Sequence, residues 1–159
     1  MSRGPILSVR PATGVEDIAT ARQLFLEYAE GLGVDLGFQG FAEELATLPG
    51  PYAEPDGVLL LAWVGDVPAG CAGLRPLAPG TCELKRLFVR PAHRGHGLAR
   101  QLSAAALAHA RSRGYRVVRL DTLPGMVEAQ RLYGQLGFRE IAPYRPNPVP
   151  GARFMELLL

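Results

Sequence analysis

Apolar residues occur along this chain in short alternating or continuous runs, and these runs predict β-strands. The run at 58–64 is apolar throughout, which is typical of a strand covered on both faces. Gly65-Asp66 and Pro79-Gly80 are turn sequences that connect this strand to the next two. We expect strands over residues 6–10, 58–64, 67–77, 81–90, 115–122, 138–142 and 152–158.

Four other segments carry apolar residues every three to four positions, which predicts helices. Thr13 and Glu16 fit a capping box at the start of the first helix, which should end near Gly31 or Gly33. The other helices are expected over residues 41–48, 98–113 and 129–136. Because a helix connects the strands at 81–90 and 115–122, these two strands should run parallel. The order of elements predicts one domain over residues 1–159, of mixed α/β (α+β) class, with a central sheet flanked by helices.

Composition narrows the class of protein without identifying it. With 159 residues, 48% of them hydrophobic and 20% charged, the chain has the size and makeup of one globular domain. A net charge of +2 is too small to indicate a nucleic-acid surface, and no apolar stretch approaches the roughly 20 residues that cross a bilayer. We therefore expect no nucleic-acid partner, no membrane partner and, since no signal-peptide core follows Met1, a cytoplasmic location.

Cysteine and histidine do not form the clusters that a metal site requires. Cys71 and Cys82 lie in predicted strands, where two buried, reduced thiols are the favoured interpretation. His93 and His96 lack an accompanying set of carboxylates or cysteines, so we expect them to face solvent or phosphate. No metal is expected.

A glycine-containing loop, Arg94-Gly95-His96-Gly97-Leu98-Ala99, stands between the apolar run at 84–89 and the alanine-rich helix. A strand that delivers such a loop to a helix start lets several backbone N–H groups converge on one anion, and the helix dipole adds to the attraction. A basic surface loop is the alternative interpretation. The position of the loop between strand and helix favours a site for a pyrophosphate.

The same residues resemble a known family. Arg94, Gly97 and Ala99 stand at the three defining positions of the R/Q-x-x-G-x-G/A motif of the GNAT N-acetyltransferases, and residues 132–138 resemble a second family signature. The resemblance extends from Val58 to the end of the chain. It implies the GNAT fold, a mixed and mostly antiparallel sheet whose splayed middle strands admit acetyl-CoA, and an enzyme that transfers the acetyl group to a primary amine by direct attack in a ternary complex.

The resemblance also implies which residues bind acetyl-CoA. Backbone groups of the strand at 81–89 would pair with the pantetheine arm, and the loop amides would hold the pyrophosphate. The cofactor-binding residues expected are Leu87, Phe88, Val89, Arg94, Gly95, His96, Gly97, Leu98, Ala99 and Arg100. Met126 departs from the family, because many members carry a pantetheine-binding asparagine there. A backbone group or Asp121 would then make that contact, unless the contact is absent or Asp121 caps the following turn.

Aminolysis of a thioester needs a group that removes a proton, since an alkyl ammonium has a pKa of about 10.4. Glu83 is the candidate, because several GNAT enzymes use a glutamate six residues before the aliphatic that ends this strand, here Val89. The alternative is a surface carboxylate paired with Lys85 or Arg86.

Tyr133 stands where the family has the general acid that protonates the CoA thiolate. The alternative for Tyr133 is a core tyrosine on an apolar helix face.

The acceptor is the part of the reaction that the sequence defines least. Acceptor pockets of this family are built by variable segments, here 27–57 and 143–153, and a small-molecule amine is the expected acceptor. Arg75, Arg86 and Arg145 are available to bind an acceptor carboxylate, or they are ordinary paired arginines.

The alternatives to a small-molecule acetyltransferase are a non-catalytic acyl-CoA-binding module and a protein or peptide N-acetyltransferase. A Rossmann enzyme does not fit, because the loop is not G-x-G-x-x-G. The oligomeric state, a homodimer included, stays open.

Overall fold

The computed structural model describes residues 4–33 and 35–159, with the backbone alone at 38–39. The seven strands are β1 (Leu7–Pro11), β2 (Val58–Val64), β3 (Val67–Ala78), β4 (Thr81–Val89), β5 (Val117–Thr122), β6 (Arg139–Ile141) and β7 (Arg153–Leu158). The α-helices are α1 (Gly14–Leu32), α2 (Phe41–Thr47), α3 (Leu98–Ser112) and α4 (Val127–Gln135). Single 3-10 turns occur at Leu36–Gln39, Gly50–Tyr52 and Pro91–His93.

The predicted strands and helices are confirmed, with differences at their ends. The predicted capping box is wrong: the Thr13 side chain does not cap α1, and the N–H of Thr13 donates to Oδ2 of Asp17 (2.8 Å) and not to Glu16. β6 is shorter than expected, because Phe138 turns into the core and its N–H still bonds to the carbonyl oxygen of Tyr133 at the end of α4. The 3-10 turns were not predicted. They are single turns without the repeated apolar spacing that marks a longer helix.

The strands form one sheet in the order β1-β2-β3-β4-β5-β7-β6. Only the β4–β5 pair is parallel, as predicted, and every other pair is antiparallel. The right-handed crossover rule explains why α3, between β4 and β5, can return the chain to a parallel neighbour. The sheet is therefore mixed and mostly antiparallel, as expected.

β4 and β5 separate soon after they meet. Backbone pairing covers only Thr81–Val117, Cys82–Val118 and Glu83–Arg119. On its other side, β4 carries a bulge: the register passes from Gly73–Lys85 to Cys71–Phe88, and Arg86 adopts a φ of 62°. A bulge bends the strand and increases its twist, which helps to turn the end of β4 away from β5. We call the point of separation after Glu83 and Arg119 the fork.

Each face of the sheet is covered by helices. One face packs α3 and α4 on a cluster that includes Leu60, Leu84, Leu102 and Val118. The other packs α1 and the segment around α2 on a cluster that includes Phe25, Tyr52 and Leu61. Since successive side chains of a strand point to opposite faces, Glu83 and Lys85 lie on the α1/α2 face, as do Arg119 and Asp121 of β5.

Two properties of the described residues bear on partners. None of their helices combines the length and the apolar character needed to span a bilayer. Within the same residues, no three histidine, cysteine or acidic side chains are grouped as metal ligands. Cys71 and Cys82 are both buried and both free, as predicted.

Candidate active site

A cleft of about 670 Å³ lies beyond the fork, between the C-terminal end of α1, the end of β4, the start of α3 and the start of α4. Nine of the ten predicted cofactor-binding residues line this cleft: Leu87, Phe88, Val89, Arg94, Gly95, Gly97, Leu98, Ala99 and Arg100. His96 is exposed and is not part of the lining. The sheet thus brings the end of β4 and the glycine loop to one cavity.

The glycine loop presents open backbone to the cleft. Gly95 and Gly97 have φ values of 87° and 80°, and nothing lies within 4 Å of where a Cβ of either residue would stand. The first helical bond of α3 runs from the N–H of Gln101 to the oxygen of Gly97 (3.0 Å), so the three N–H groups before it have no partner within the helix. These N–H groups and the positive end of the helix dipole suit an anion.

Arg94, the first residue of the glycine loop, is anchored to the end of β4. Its Nε donates to the carbonyl oxygen of Val89, 2.9 Å away, which ties the glycine loop to the end of β4. Arg100 is exposed and its guanidinium donates to the side chain of Gln135. Both arginines therefore stand at the rim of the cleft with charge available to phosphate oxygens.

The edge of β4 that faces β5 is unpaired beyond Glu83. An extended chain can hydrogen-bond to such an edge as an added strand. This is the segment that the resemblance assigns to the pantetheine arm, and it lies along the cleft.

Met126 occupies the turn between β5 and α4 and lines the cleft. Its sulfur lies 3.5 Å from the N–H of Leu123 and 3.7 Å from Oγ1 of Thr122, which act as donors to it. The same turn is held by Gln130, whose side chain donates to the carbonyl oxygen of Leu123 at 2.8 Å. The methionine thus stabilises its own turn, and Asp121 does not cap that turn but faces Lys85.

Tyr133 lies on α4 and is 5% exposed, with its ring packed on Phe138 at a centroid distance of 5.6 Å. Burial raises the pKa of its hydroxyl well above the ordinary value, and nearby Tyr28 and Asp121 raise it further. The hydroxyl is therefore protonated at neutral pH, as a general acid requires. Ala129 and Leu132 of the same helix line the cleft, whereas Tyr133 lies behind them.

Glu83 is completely buried, so the interpretation as a surface carboxylate is wrong. Its Oε1 accepts hydrogen bonds from Arg75, 3.0 Å away. Its Oε2 accepts a bond of 2.5 Å from the Tyr144 hydroxyl and lies 2.7 Å from Nη2 of Arg145. Both carboxylate oxygens are thus engaged.

The charges around Glu83 control its ionisation. Burial by itself would raise the pKa of the carboxyl, but the positive charge of Lys85, the Tyr144 hydrogen bond and the two arginines outweigh it. The pKa lies below its ordinary value. A carboxylate held in this way is a weak proton acceptor, which argues against the prediction that Glu83 is the base.

Arg75, Arg86 and Arg145 are all paired with carboxylates of the protein. Arg86 is buried and makes two bonds to Glu44 of α2, of 2.9 and 3.0 Å. The other two arginines pair with Glu83. These arginines are therefore paired, as one of the two interpretations expected. The pairs are buried or half-buried, and they join α2 and the 143–150 loop to the sheet.

Sequence reasoning missed one pair at the fork. Lys85 and Asp121 are the next residues beyond Glu83 and Arg119 on the same face, and Nζ of Lys85 lies 3.8 Å from Oδ1 of Asp121. A side-chain ion pair thus spans the two strands where their backbones no longer pair. The available signal was that Lys85 is the only lysine in the chain.

Comparison with known proteins agrees with this geometry. Residues 21–138 match the model of the acetyltransferase (GNAT) family. An uncharacterised N-acetyltransferase of Schizosaccharomyces pombe is 38% identical over 144 residues, which cover 89% of this chain and 88% of that protein. The crystal structure of an acetyltransferase from Streptococcus agalactiae superposes with a TM-score of 0.79 at 18% identity, covering 96% of this chain and 98% of that one. An acetyltransferase of Salmonella typhimurium, solved with its cofactor acetyl-CoA, superposes with a TM-score of 0.67 at 22% identity, covering 96% and 93%.

Proposed function

This chain belongs to the GNAT family of acetyltransferases, and we propose that it transfers the acetyl group of acetyl-CoA to the primary amine of a small molecule by direct attack in a ternary complex. The observation that carries the proposal is the fork. Its cleft joins an unpaired strand edge to an anion-binding helix start, and it opens beside a set of charged side chains on the α1/α2 face.

Acetyl-CoA would bind along the cleft. The pyrophosphate would lie on the N–H groups at the start of α3, with Arg94 and Arg100 beside it, and the pantetheine arm would pair with β4 at 87–89. This arrangement directs the thioester towards the fork. Tyr133, protonated at neutral pH, would give its proton to the departing CoA thiolate.

The enclosure of the α1/α2 face supports a small acceptor. The Arg86–Glu44 pair holds α2 on the sheet, and Glu83 holds the 143–150 loop through Tyr144 and Arg145. A protein or peptide acceptor needs an open groove for several of its residues, and segments fastened to the sheet in this way favour a smaller acceptor.

Two roles are available to Glu83. The family resemblance makes it the base, whereas its contacts make it a positioning residue that fastens the 143–150 loop. Its depressed pKa and its two arginine partners favour the second role.

A screen of acceptors tests the proposal. The purified protein is incubated with acetyl-CoA and a panel of amino acids, aminoalkanes and amino sugars, and release of free thiol is followed. We expect turnover with one chemical class of these amines and about 10²-fold less with the Tyr133→Phe variant. A peptide as the best acceptor would contradict the small-molecule acceptor. Binding of acetyl-CoA without turnover of any amine or peptide would identify a non-catalytic module.

A further inference from the structure

The fork contains the only lysine of the chain, and that lysine is buried. Lys85 is 5% exposed, although the chain has 17 lysine and arginine residues in all and most long basic side chains in proteins are exposed. It extends from β4 towards β5 on the α1/α2 face, where Oδ1 of Asp121 lies 3.8 Å from its Nζ.

Asp121 has unused hydrogen-bonding capacity at the same place. Its side chain is 8% exposed, and its second oxygen, Oδ2, is buried without a hydrogen-bond partner among the residues that the structure describes. Leaving a buried carboxylate oxygen unpartnered is unfavourable, so such an oxygen suits a donor that arrives from outside the chain.

A small cavity of about 20 Å³ lies beside the two side chains. Its lining includes Tyr28, Lys85, Arg86, Asp121, Thr122 and Met126. This is about the volume that one water molecule or one amino group needs. Tyr28 and Met126 also line the large cleft, so the small cavity adjoins the end of the cleft that meets the fork.

We propose that Lys85 is the proton acceptor for the incoming amine, and that Oδ2 of Asp121 accepts an N–H of that amine and so orients it. This inference rests on the proposed acetyltransferase function and replaces Glu83 as the base. Lys85 is then a catalytic residue, and Glu83 is a positioning residue two positions earlier on the same strand.

Each bond and proton of the acetyl transfer can be followed through the reaction. The acceptor ammonium first gives one proton to bulk water. The neutral nitrogen then attacks the thioester carbonyl carbon, a C–N bond forms, and the nitrogen gives a second proton to the neutral Nζ of Lys85. The C–S bond then breaks, and the CoA thiolate takes the hydroxyl proton of Tyr133. Asp121 stabilises the new Lys85 ammonium, and exchange with water returns the proton from Lys85 to Tyr133. The sum is acetyl-CoA plus amine giving amide plus CoA.

The surroundings suit Lys85 to this task. Burial lowers the pKa of Lys85 to about 8; Asp121 and Glu83 oppose this decrease, whereas Arg86 and Arg75 add to it. From α1 the cavity is faced by Tyr28, whose pKa burial raises, and from α2 Glu44 faces Arg86. About half of the Lys85 amines are therefore neutral at pH 8. An amine of this pKa is a far stronger base than the ionised Glu83.

Because the chain has one lysine, its titration can be observed directly. Protein labelled with lysine carrying carbon-13 at Cε gives one Cε resonance, and its shift against pH measures the protonation of Lys85 in the complete chain without any acceptor. We expect a midpoint near 8. In Asp121→Asn the midpoint should fall further, since a negative charge that favours the ammonium is gone. A midpoint near the ordinary lysine value of about 10.4 would overturn the inference.

Kinetics supply the second half of the test. With the best amine from the screen, kcat of the wild type should rise with pH through the midpoint that the resonance gives. Lys85→Met should lower kcat by about 10²-fold or more and remove this dependence, with the Kd for acetyl-CoA unchanged by calorimetry. If Lys85→Met does not fold, the pH dependence of kcat is measured with Lys85→Arg instead, because arginine keeps its proton throughout the assay range.

The failures of the two proposals are distinguishable. Wild-type turnover whose pH profile persists in the lysine variants overturns the inference and leaves the proposed function intact. Absence of turnover by the wild type with every amine overturns the proposed function and the inference with it.

Discussion

The Tyr144 hydroxyl donates a hydrogen bond of 2.5 Å to Oε2 of Glu83, and this bond joins the 143–150 loop to the middle of the sheet across 61 residues of sequence. Burial raises the pKa of Tyr144, and the charge of Glu83 raises it further, so the hydroxyl remains a donor at neutral pH. The relationship makes Glu83 the attachment point of a loop expected to shape the acceptor pocket.

Glu83→Gln distinguishes attachment from base catalysis. An amide pairs poorly with two arginines, so we expect the acceptor KM to rise. The pH dependence of kcat should persist with its midpoint at lower pH, because the charge of Glu83 raises the pKa of Lys85. Steady-state kinetics over pH measure this. The matched control is Glu140→Gln on β6, the strand at the far edge of the sheet, which loses a carboxylate held by two bonds to Arg153. A loss concentrated near neutral pH and rescued at alkaline pH would restore Glu83 as the base.

Tyr144→Ala tests whether the loop selects the acceptor. The change removes the bond to Glu83 and the ring that packs on Phe154 at 5.1 Å. We expect the KM of the acceptor to increase by roughly tenfold, because the loss of about 1.4 kcal/mol of positioning contacts acts on one substrate. The KM of acetyl-CoA should stay nearly constant. Equal changes in both constants would show a general loss of structure.

Gly97→Val tests the anion site at the start of α3. A β-branched residue is strained at a φ of 80°, and its side chain would enter the open space before the helix N–H groups. Calorimetry should show loss of acetyl-CoA binding. Gly114→Val is the matched control, because it lies just beyond the other end of α3 at a φ of 78° with similar open space. If both variants fold and bind acetyl-CoA equally well, the loop is not the phosphate site.

Tyr133→Phe tests the general acid. Only the hydroxyl is lost, and the ring can still pack on Phe138, so kcat should fall about 10²-fold while the Kd for acetyl-CoA is unchanged. Tyr115→Phe serves as the control, since its hydroxyl donates to the carbonyl oxygen of Asp56, remote from the cleft. Full activity of Tyr133→Phe at every pH would make this residue a core tyrosine only.

The pH dependence of stability reports on Lys85 independently of catalysis. The pKa of Lys85 is about 8 in the folded chain and 10.5 ordinarily, so between these values the unfolded chain binds more protons and the free energy of unfolding rises with pH. Urea unfolding at pH 7 and pH 10 measures this. We expect the free energy of unfolding of Lys85→Met, relative to that of the wild type, to be lower at pH 10 than at pH 7. A difference between the two proteins that does not change with pH would mean that Lys85 titrates normally.

The order of elements and the glycine loop follow from local patterns in the sequence. Apolar spacing, Gly65-Asp66, Pro79-Gly80 and the glycines after β4 act over a few residues, so their effects can be predicted without knowing the rest of the fold. The parallel pairing of β4 and β5 followed from the helix between them. The family motif then connected this local pattern to acetyl-CoA.

The roles of the charged residues depend on contacts between distant parts of the chain. Glu83 meets a tyrosine and two arginines, one of them from the 143–150 loop, and Lys85 meets Asp121 across the fork. A bulge with Arg86 at a φ of 62° and a parallel pairing only three residues long place these groups. The pKa of a side chain depends on its burial and on charges within a few ångströms, which come from distant parts of the chain. The sequence therefore made Glu83 a candidate, but the sheet register and the loop decide which side chain is placed to take a proton.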